Sequence, residues 1–333
     1  MEGLTSEYHK TLDMLASIDA PIKLIIAGNH DRTLDKTWMR NHERLLWGKK
    51  WEETYEEARD MWFGKEGRAV REGARMLEEG IHEVEVGNGA VLRVSDFLIF
   101  LGSLLPSVIV LLMEGISFQQ ERITKLNTIN MHWLETLTTN IPHQLYTSPY
   151  QPEFYDWAFP YEKYEDRYNT PSQILSDATN IAINPIPSFS EQALDIICTH
   201  GPPYKRGDST AHGNVGCPHL LKAVARAKPL VHCFGHIHEG WGAERVTWDE
   251  VLDTEEKGTM EQFKTQGWEK HVKQVERIEV VEKEVKERRA VFVDGRDVKK
   301  GEQTLMVNAA IMDVGYSPVN APFVVDLDLP MKV

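Results

Sequence analysis

Cysteine is scarce in this sequence: three residues in 333, Cys198, Cys217 and Cys233, with no CxxC pair. An odd count without paired spacing argues against a disulfide framework and a cysteine-built zinc site, and a reducing, cytoplasmic setting is the expectation. A positive balance is also missing, since 37 Lys and Arg face 51 Asp and Glu, a formal net charge of −14. Such a chain has no general attraction for a nucleic-acid duplex or an anionic membrane surface. Any phosphate it handles has to be met locally, by a metal or by a few placed donors. The opening MEGLTSEYHK has no basic start leading into an apolar core, so no secretory signal is expected. One extended uncharged run, Phe97 to Met113, is broken by Gly102 and Pro106 and falls short of the ~20 apolar residues of a membrane span. What is present is an apolar share of 41%, ample for the core of a single large domain over 1–333.

Tyr8, Leu12 and Leu15, with Met14 and Ile18, have helical spacing from Thr5 onward, and Asp19-Ala20-Pro21 ends the pattern. Ile22 to Ala27 is a short apolar run of the kind a strand buried on both faces needs, and it stops at Gly28. Residues 36–80 read as helices with solvated faces, and 81–94 alternate around Asn88-Gly89 as a hairpin does. Residues 95–144 are anomalous, an apolar stretch followed by a polar one without periodicity. Their plainest reading is a buried helix or strand pair with its connection. A second reading comes from codons: Val94-Ser95-Asp96 and Gln144 can be encoded by the two ends of an unspliced intron, and removing 94–144 joins Arg93 to Leu145 in one alternating strand. The expectation is therefore a retained intron or a gene-model error. Further on, SPYQPEFYDWAFPYE is a structured aromatic loop, Leu194 to Thr199 and Pro229 to Phe234 are buried strands, and 219–227 is a helix. The charged stretch 249–300 is expected to be a helical, exposed insertion or lid, and Gln303 to Leu329 a terminal strand pair. Strands alternating with helices indicate a layered α/β fold.

Three strands end in clusters of Asn, His and Gly: GNHD at 28–31, THGPP at 199–203 and GHIHEGWG at 235–242. Ligands sit at the C-terminal strand edge in α/β folds, so the three loops are expected to face one crevice. Amide oxygen and neutral imidazole suit Zn, Mn or Fe, and Asn29, His200 and His236 are the residues to surround one ion. His238, two residues beyond His236, falls on the same face in a strand and can serve an adjacent ion in a turn. Each histidine alone is more often a hydrogen-bonded structural residue; three clusters together reverse that balance. His232 lies within a strand and reads as packed, while Tyr150 and Trp157 are candidates for a pocket wall.

The order GNHD, THGPP, GHIH resembles the calcineurin-like metallophosphoesterase superfamily. EGWG, LMVNAAIMD and SPYQPEFYDWAF resemble its narrower group of metallophosphoesterase-domain proteins similar to class III cyclic-nucleotide phosphodiesterases. That resemblance implies a layered αββα sandwich, two divalent metal ions and a small phosphate-ester or nucleotide substrate. It makes Asn29, His200 and His236 ligands of one ion and His238 a ligand of the other. His30 stabilises the phosphate or protonates the leaving oxygen, Asp31 orients His30, and a metal-bound hydroxide attacks phosphorus. His212, in the loop after THGPP, is a candidate substrate contact. The sequence departs from the pattern because no Asp-x-His and no Gly-Asp precede GNHD, so about two N-terminal strands and the bridging carboxylate are expected to be lacking. Two cations repel without a bridging anion. The expectation is an impaired phosphodiesterase, and the alternative a catalytically inactive binding or regulatory protein.

Overall fold

Alternation of apolar side chains along short strands decides the architecture, because successive residues of a strand face opposite sides. In a computed structural model that describes residues 4–18, 20, 22–46, 50–84, 95–102, 109–114, 143–250 and 258–328, the principal elements, in chain order, are α1 (Thr5–Ala16), β1 (Ile22–Ile26), α2 (Lys36–Asn41), α3 (Trp51–Phe63), α4 (Arg68–Arg71), β2 (Ala74–Leu77), β3 (Gly80–Val84), β4 (Ser95–Gly102), β5 (Ile109–Glu114) and β6 (His143–Ser148). They continue with β7 (Ile196–Thr199), α5 (Pro218–Ala227), β8 (Val231–Phe234), β9 (Gly242–Trp248), β10 (Val272–Arg277), α6 (Glu282–Arg288), β11 (Val291–Asp294), β12 (Gln303–Asn308) and β13 (Phe323–Asp328).

Two sheets result. The first has six strands in the order β11-β13-β4-β5-β1-β2, and the second has seven in the order β10-β9-β12-β8-β7-β6-β3. Leu24 and Ile26 of β1, with Val293 and Val325, share one buried cluster with Ile196, Cys198, Val231 and Leu305 of the second sheet. The sheets are therefore stacked face to face. Ile25, on the other face of β1, packs with Leu12, Leu15 and Trp62 of the helices. Ile197 and Met306, on the outer face of the second sheet, pack with Leu220, Leu221 and Val224 of α5. The layers run helix, sheet, sheet, helix, which is the α/β sandwich expected. Helix α5 starts with Pro218 at its first position and Cys217 Sγ accepting from the Leu220 amide; it ends at Lys228 in a left-handed conformation.

Three stretches differ from the sequence reading, and within a fourth, 95–144, the strand pair that was its plainest reading is found. Ala74–Leu77, expected to be helical, pairs in parallel with β1, whose open edge outweighs helix propensity over four residues. The charged stretch 249–300 is not helical throughout: within it, β10 closes one end of the second sheet against β9, with its side chains mostly exposed, as charges that protect a sheet edge should be. β12 and β13 do not pair with each other but belong to different sheets, because the chain crosses the sandwich between them. Within 95–144, β4 and β5 form an antiparallel pair set between β13 and β1, and no described helix is long and apolar enough to cross a membrane. The hairpin turn expected at Asn88-Gly89 lies outside the described residues. The strand that pairs with β3 is β6, on the far side of the anomalous segment.

His232 stands at the centre of the second sheet. Thr199 Oγ1 donates to the Gly201 carbonyl at 2.7 Å and so accepts from His232 Nε2 at 2.9 Å, which fixes the start of the THGPP turn. Burial pushes the His232 imidazole down to about 3. In the unfolded chain its pKa is about 6.5. Between those values only the unfolded state holds the proton, so this residue's contribution to stability is complete above pH 6.5 and declines as the pH falls toward 3. Asp31, raised by burial to about 7, acts in the opposite sense. The slope of stability against pH between 4.5 and 6 should therefore fall by up to ~1.4 kcal/mol per pH unit in His232→Gln. Urea unfolding at several pH values measures it, and identical slopes would contradict the assignment.

Candidate functional site

The stacking carries the ends of β1, β7 and β8 to the same edge of the sandwich. Gly28 to Asp31 turn directly out of β1, His200 follows Thr199 at the end of β7, and Gly235-His236 follow Phe234 at the end of β8. The loops come from two opposed sheets rather than from one. Asn29 Oδ1 lies 3.0 Å from His200 Nε2, and His236 Nδ1 lies 3.1 Å from that same nitrogen. An amide oxygen and two imidazole nitrogens thus meet at one point. Backbone contacts hold it: the His200 amide donates to the Ser148 carbonyl and the Gly235 amide to the His200 carbonyl. His236 adopts φ 64°, a left-handed conformation uncommon outside glycine, and such strain of about 1–3 kcal/mol clusters where a side chain must be aimed.

Burial, and then the neighbouring His236, His30 and His238, hold His200 well below the usual imidazole range. Burial, followed by His238 and His30, brings His236 down to about 3. Both rings are neutral near pH 7; His200 Nε2 donates to Asn29 Oδ1, and moving that proton to Nδ1 would turn Nε2 into a lone-pair donor for a cation. The chemistry of the donor set fits a borderline divalent ion. The spacing fits as well, since donors about 2.1 Å from one ion stand about 3 Å apart when they subtend a right angle. Among the described residues no three His, Cys, Asp or Glu side chains gather to hold a metal. The cluster is two imidazoles and one amide, without a carboxylate.

The other sequence-selected residues ring this point. His238 Nδ1 contacts the Asp313 carbonyl at 2.9 Å, which places the proton on Nδ1 and leaves Nε2 as a free lone pair; its ring meets Tyr316 edge-on. It is not in hydrogen-bond contact with the three-atom cluster. The His30 ring lies on Trp157, with centroids 4.0 Å apart. The Asp31 carboxylate accepts from the Gly28 amide at 2.8 Å, closing the turn that presents Asn29 and His30. Trp157 belongs to the aromatic loop, where the Ala158 amide donates to the Asn29 carbonyl at 3.1 Å. Tyr150 lies farther back, under the Arg167 guanidinium at 3.4 Å. His212 is exposed at a small hairpin formed by Ser209–Thr210 and Gly213–Asn214.

Several positioning residues were not singled out by the sequence reading. Asn308, at the end of β12, donates through Nδ2 to the carbonyls of Gly207 and Ile237 and ties two loops together. Asp35 Oδ1 accepts from the amides of Thr37 and Trp38 at the start of α2, while its Oδ2 accepts from the Phe159 amide at 2.7 Å. Asp35 therefore joins the GNHD side to the aromatic loop. Phe154 stands edge-on to His236. Asn308 lies in the LMVNAAIMD stretch, and Asp35 begins an Asp-x-x helix start; those were the available signals.

A two-layer β sandwich flanked by helices, with an Asn/His/His cluster where strand ends meet, defines an α/β protein built to present neutral donors at one edge. No family profile matches the chain. Over 332 residues, 98% of this chain, it is 26% identical to metallophosphoesterase domain-containing protein 1 of Homo sapiens, and by the same figures to that of Mus musculus. A UPF0046 protein of Caenorhabditis elegans is 26% identical over 242 residues, 72% of this chain and 44% of that protein. The likeness to metallophosphoesterase-domain proteins thus extends over nearly the whole length of the chain. The chain spans 62% of the length of the human and mouse relatives.

The loop contact nearest the site is also the tightest. A Cβ on Gly240 would stand 1.9 Å from the Gly207 carbonyl oxygen and 2.8 Å from Asn308 Nδ2. Gly240→Ala should therefore force these loops apart and cost about 1–3 kcal/mol, read as a lower urea midpoint at unchanged slope. Wild-type stability in that variant would show the contact to be adjustable.

Proposed function

We propose that the cluster binds a divalent metal ion and that the chain's domain hydrolyses phosphate esters, with small phosphodiesters, nucleotides among them, as the substrate class. The observation that carries this reading is the meeting of Asn29 Oδ1, His200 Nε2 and His236 Nδ1 within 3.0 and 3.1 Å at the edge of a family-matched sandwich. These three would hold the ion, Mn, Fe or Zn by their donor chemistry, and His238 Nε2 would serve a second ion beside it. When bound, a metal supplies the positive charge that polarises a phosphoryl group and that an acidic protein otherwise lacks.

The chain's own residues do the rest. His30, fixed by its stack on Trp157, holds or delivers a proton at the leaving oxygen. Asp31 shapes the turn that aims His30 through its bond to Gly28. Trp157 and Tyr316 pack against the His30 ring, and Phe154 against the His236 ring, on the aromatic side of the cluster. His212, on its exposed hairpin, is placed to meet only the outer part of a substrate.

A second reading, a binding or regulatory protein without turnover, is favoured by one observation: the three converging donors include no carboxylate to bridge two cations. Two measurements separate the readings. Calorimetric titration with Mn²⁺ should show one site whose affinity falls at least ~10-fold, about 1.4 kcal/mol, in His200→Ala and in Asn29→Ala. Hydrolysis of bis(4-nitrophenyl) phosphate should drop about 10²–10⁴-fold in His30→Ala with Mn²⁺ affinity kept. Binding without hydrolysis supports the second reading; Mn²⁺ affinity indifferent to both cluster variants overturns the two together.

A further inference from the structure

The pocket at the opposite edge of the second sheet is unrelated to the histidine cluster. Residues 188–190, 226–228 and 301 precede β7, β8 and β12 respectively, whereas His200 and His236 follow β7 and β8, so the strands separate the two places. The pocket has a volume of about 220 Å³, room for roughly seven waters at ~30 Å³ each. Its wall carries Lys222, Arg226 and Lys228 together with Ser188, Ser190 and His271, and no lining residue is acidic. In a protein of net charge −14 this is a concentration of the opposite sign.

The cations are held in place. Lys222 Nζ donates to the Gln173 carbonyl, Arg226 Nη1 to Asn169 Oδ1 at 2.7 Å and Nη2 to the Ile186 carbonyl at 2.9 Å, and Lys228 Nζ to the Asp249 carbonyl at 3.3 Å. These four bonds go to neutral oxygens, and Arg226 also meets the charge of Glu191. Part of the charge answers the C-terminal dipole of α5, where cations are ordinarily favourable. A helix end alone, however, explains neither the pocket nor the buried histidine that lines it. His271 is buried, and burial, then Lys222, Lys270 and Arg226, bring its imidazole down to about 4, so it faces the pocket uncharged and able to donate or accept. The Glu191 carboxylate accepts from the Ser188 amide and hydroxyl, both at 2.8 Å, and so braces the serine turn.

We propose that this pocket binds a small, multiply charged oxyanion, inorganic phosphate or pyrophosphate or the phosphate of a compound with few carbons, between Lys222, Arg226, Lys228 and His271. Two lysines on short reach and a guanidinium form charge-assisted hydrogen bonds with such oxygens, and the serine hydroxyls supply neutral ones.

Histidine-selective ¹⁵N-labelled protein, freed of metal by chelating resin, is titrated with inorganic pyrophosphate while the His271 ring resonances are followed. A saturating shift that sodium chloride of equal ionic strength does not reproduce is expected. Lys222→Gln/Lys228→Gln should weaken the binding at least ~10-fold, about 1.4 kcal/mol, and Lys228→Gln alone should weaken it measurably should the double variant lose its fold. His200→Ala, which dismantles the histidine cluster, should bind as wild type does, so this proposal and the hydrolytic one fail separately. A shift that never saturates, one matched by chloride, or an affinity unchanged in Lys228→Gln and in the folded double variant would overturn it.

Discussion

The face-to-face contact between the two sheets is the constraint on which the rest depends. Leu24, Ile26, Ile196, Cys198, Val231 and Leu305 are almost wholly removed from water, and each large apolar side chain so buried contributes about 1.5–3 kcal/mol. A slip of one residue in β1, β7 or β8 would turn these side chains outward and expose their alternates. The same slip would also swing Asn29, His200 or His236 to the other face of the loop that follows. Core packing and site geometry are thus one requirement. Asn29 is three residues from Ile26, and His200 two from Cys198, so the interior register fixes where the donors point.

That register only brings the loops near one another; polar contacts lock them. Asn308 bonds the carbonyls of Gly207 and Ile237, Asp35 spans from α2 to Phe159, and Thr199 links Gly201 to His232. Gly207 and Gly240 approach too closely for a side chain at position 240. The imidazoles that result are shielded and mutually repelling when charged, which is why they stay neutral. A preorganised set of neutral donors costs little to desolvate and carries no net charge to shed when it meets a cation, the His200 proton only shifting from Nε2 to Nδ1.

Much of this was legible in the sequence because the short apolar runs at 22–27, 194–199 and 229–234 carry their own signal, and the residues just after them are chemically distinctive. The convergence of Asn29, His200 and His236 was anticipated from that placement. Less legible was anything decided by partners distant in the chain. Ala74–Leu77 became a strand because β1 offered an open edge, and Val272–Arg277 because β9 did. Gln303–Asn308 and Phe323–Asp328 alternate alike, yet nothing local says that they enter different sheets. The contribution of Asn308 was hidden for the same reason, since its acceptors lie 101 and 71 residues away.

The strand pair β4-β5 shows how far topology limits the charge at the site. Its antiparallel register sets Ile109 beside Ile26, at the end of β1 from which Asn29 departs, and Gly102 opposite Ile109. Asp96 and Glu114 fall toward the other edge, Glu114 one residue beyond the Met113 that pairs with Ile22. Inserted between β1 and β13, the pair completes the sheet, with both of those positions at the end of the register away from Asn29. Asp31, two residues from Asn29, is turned onto the Gly28 amide and raised by burial to about 7, so near neutral pH it carries only part of a charge. Three neutral donors can share one dication, but two dications side by side need an anion between them, and the Asn29, His200 and His236 donors include none.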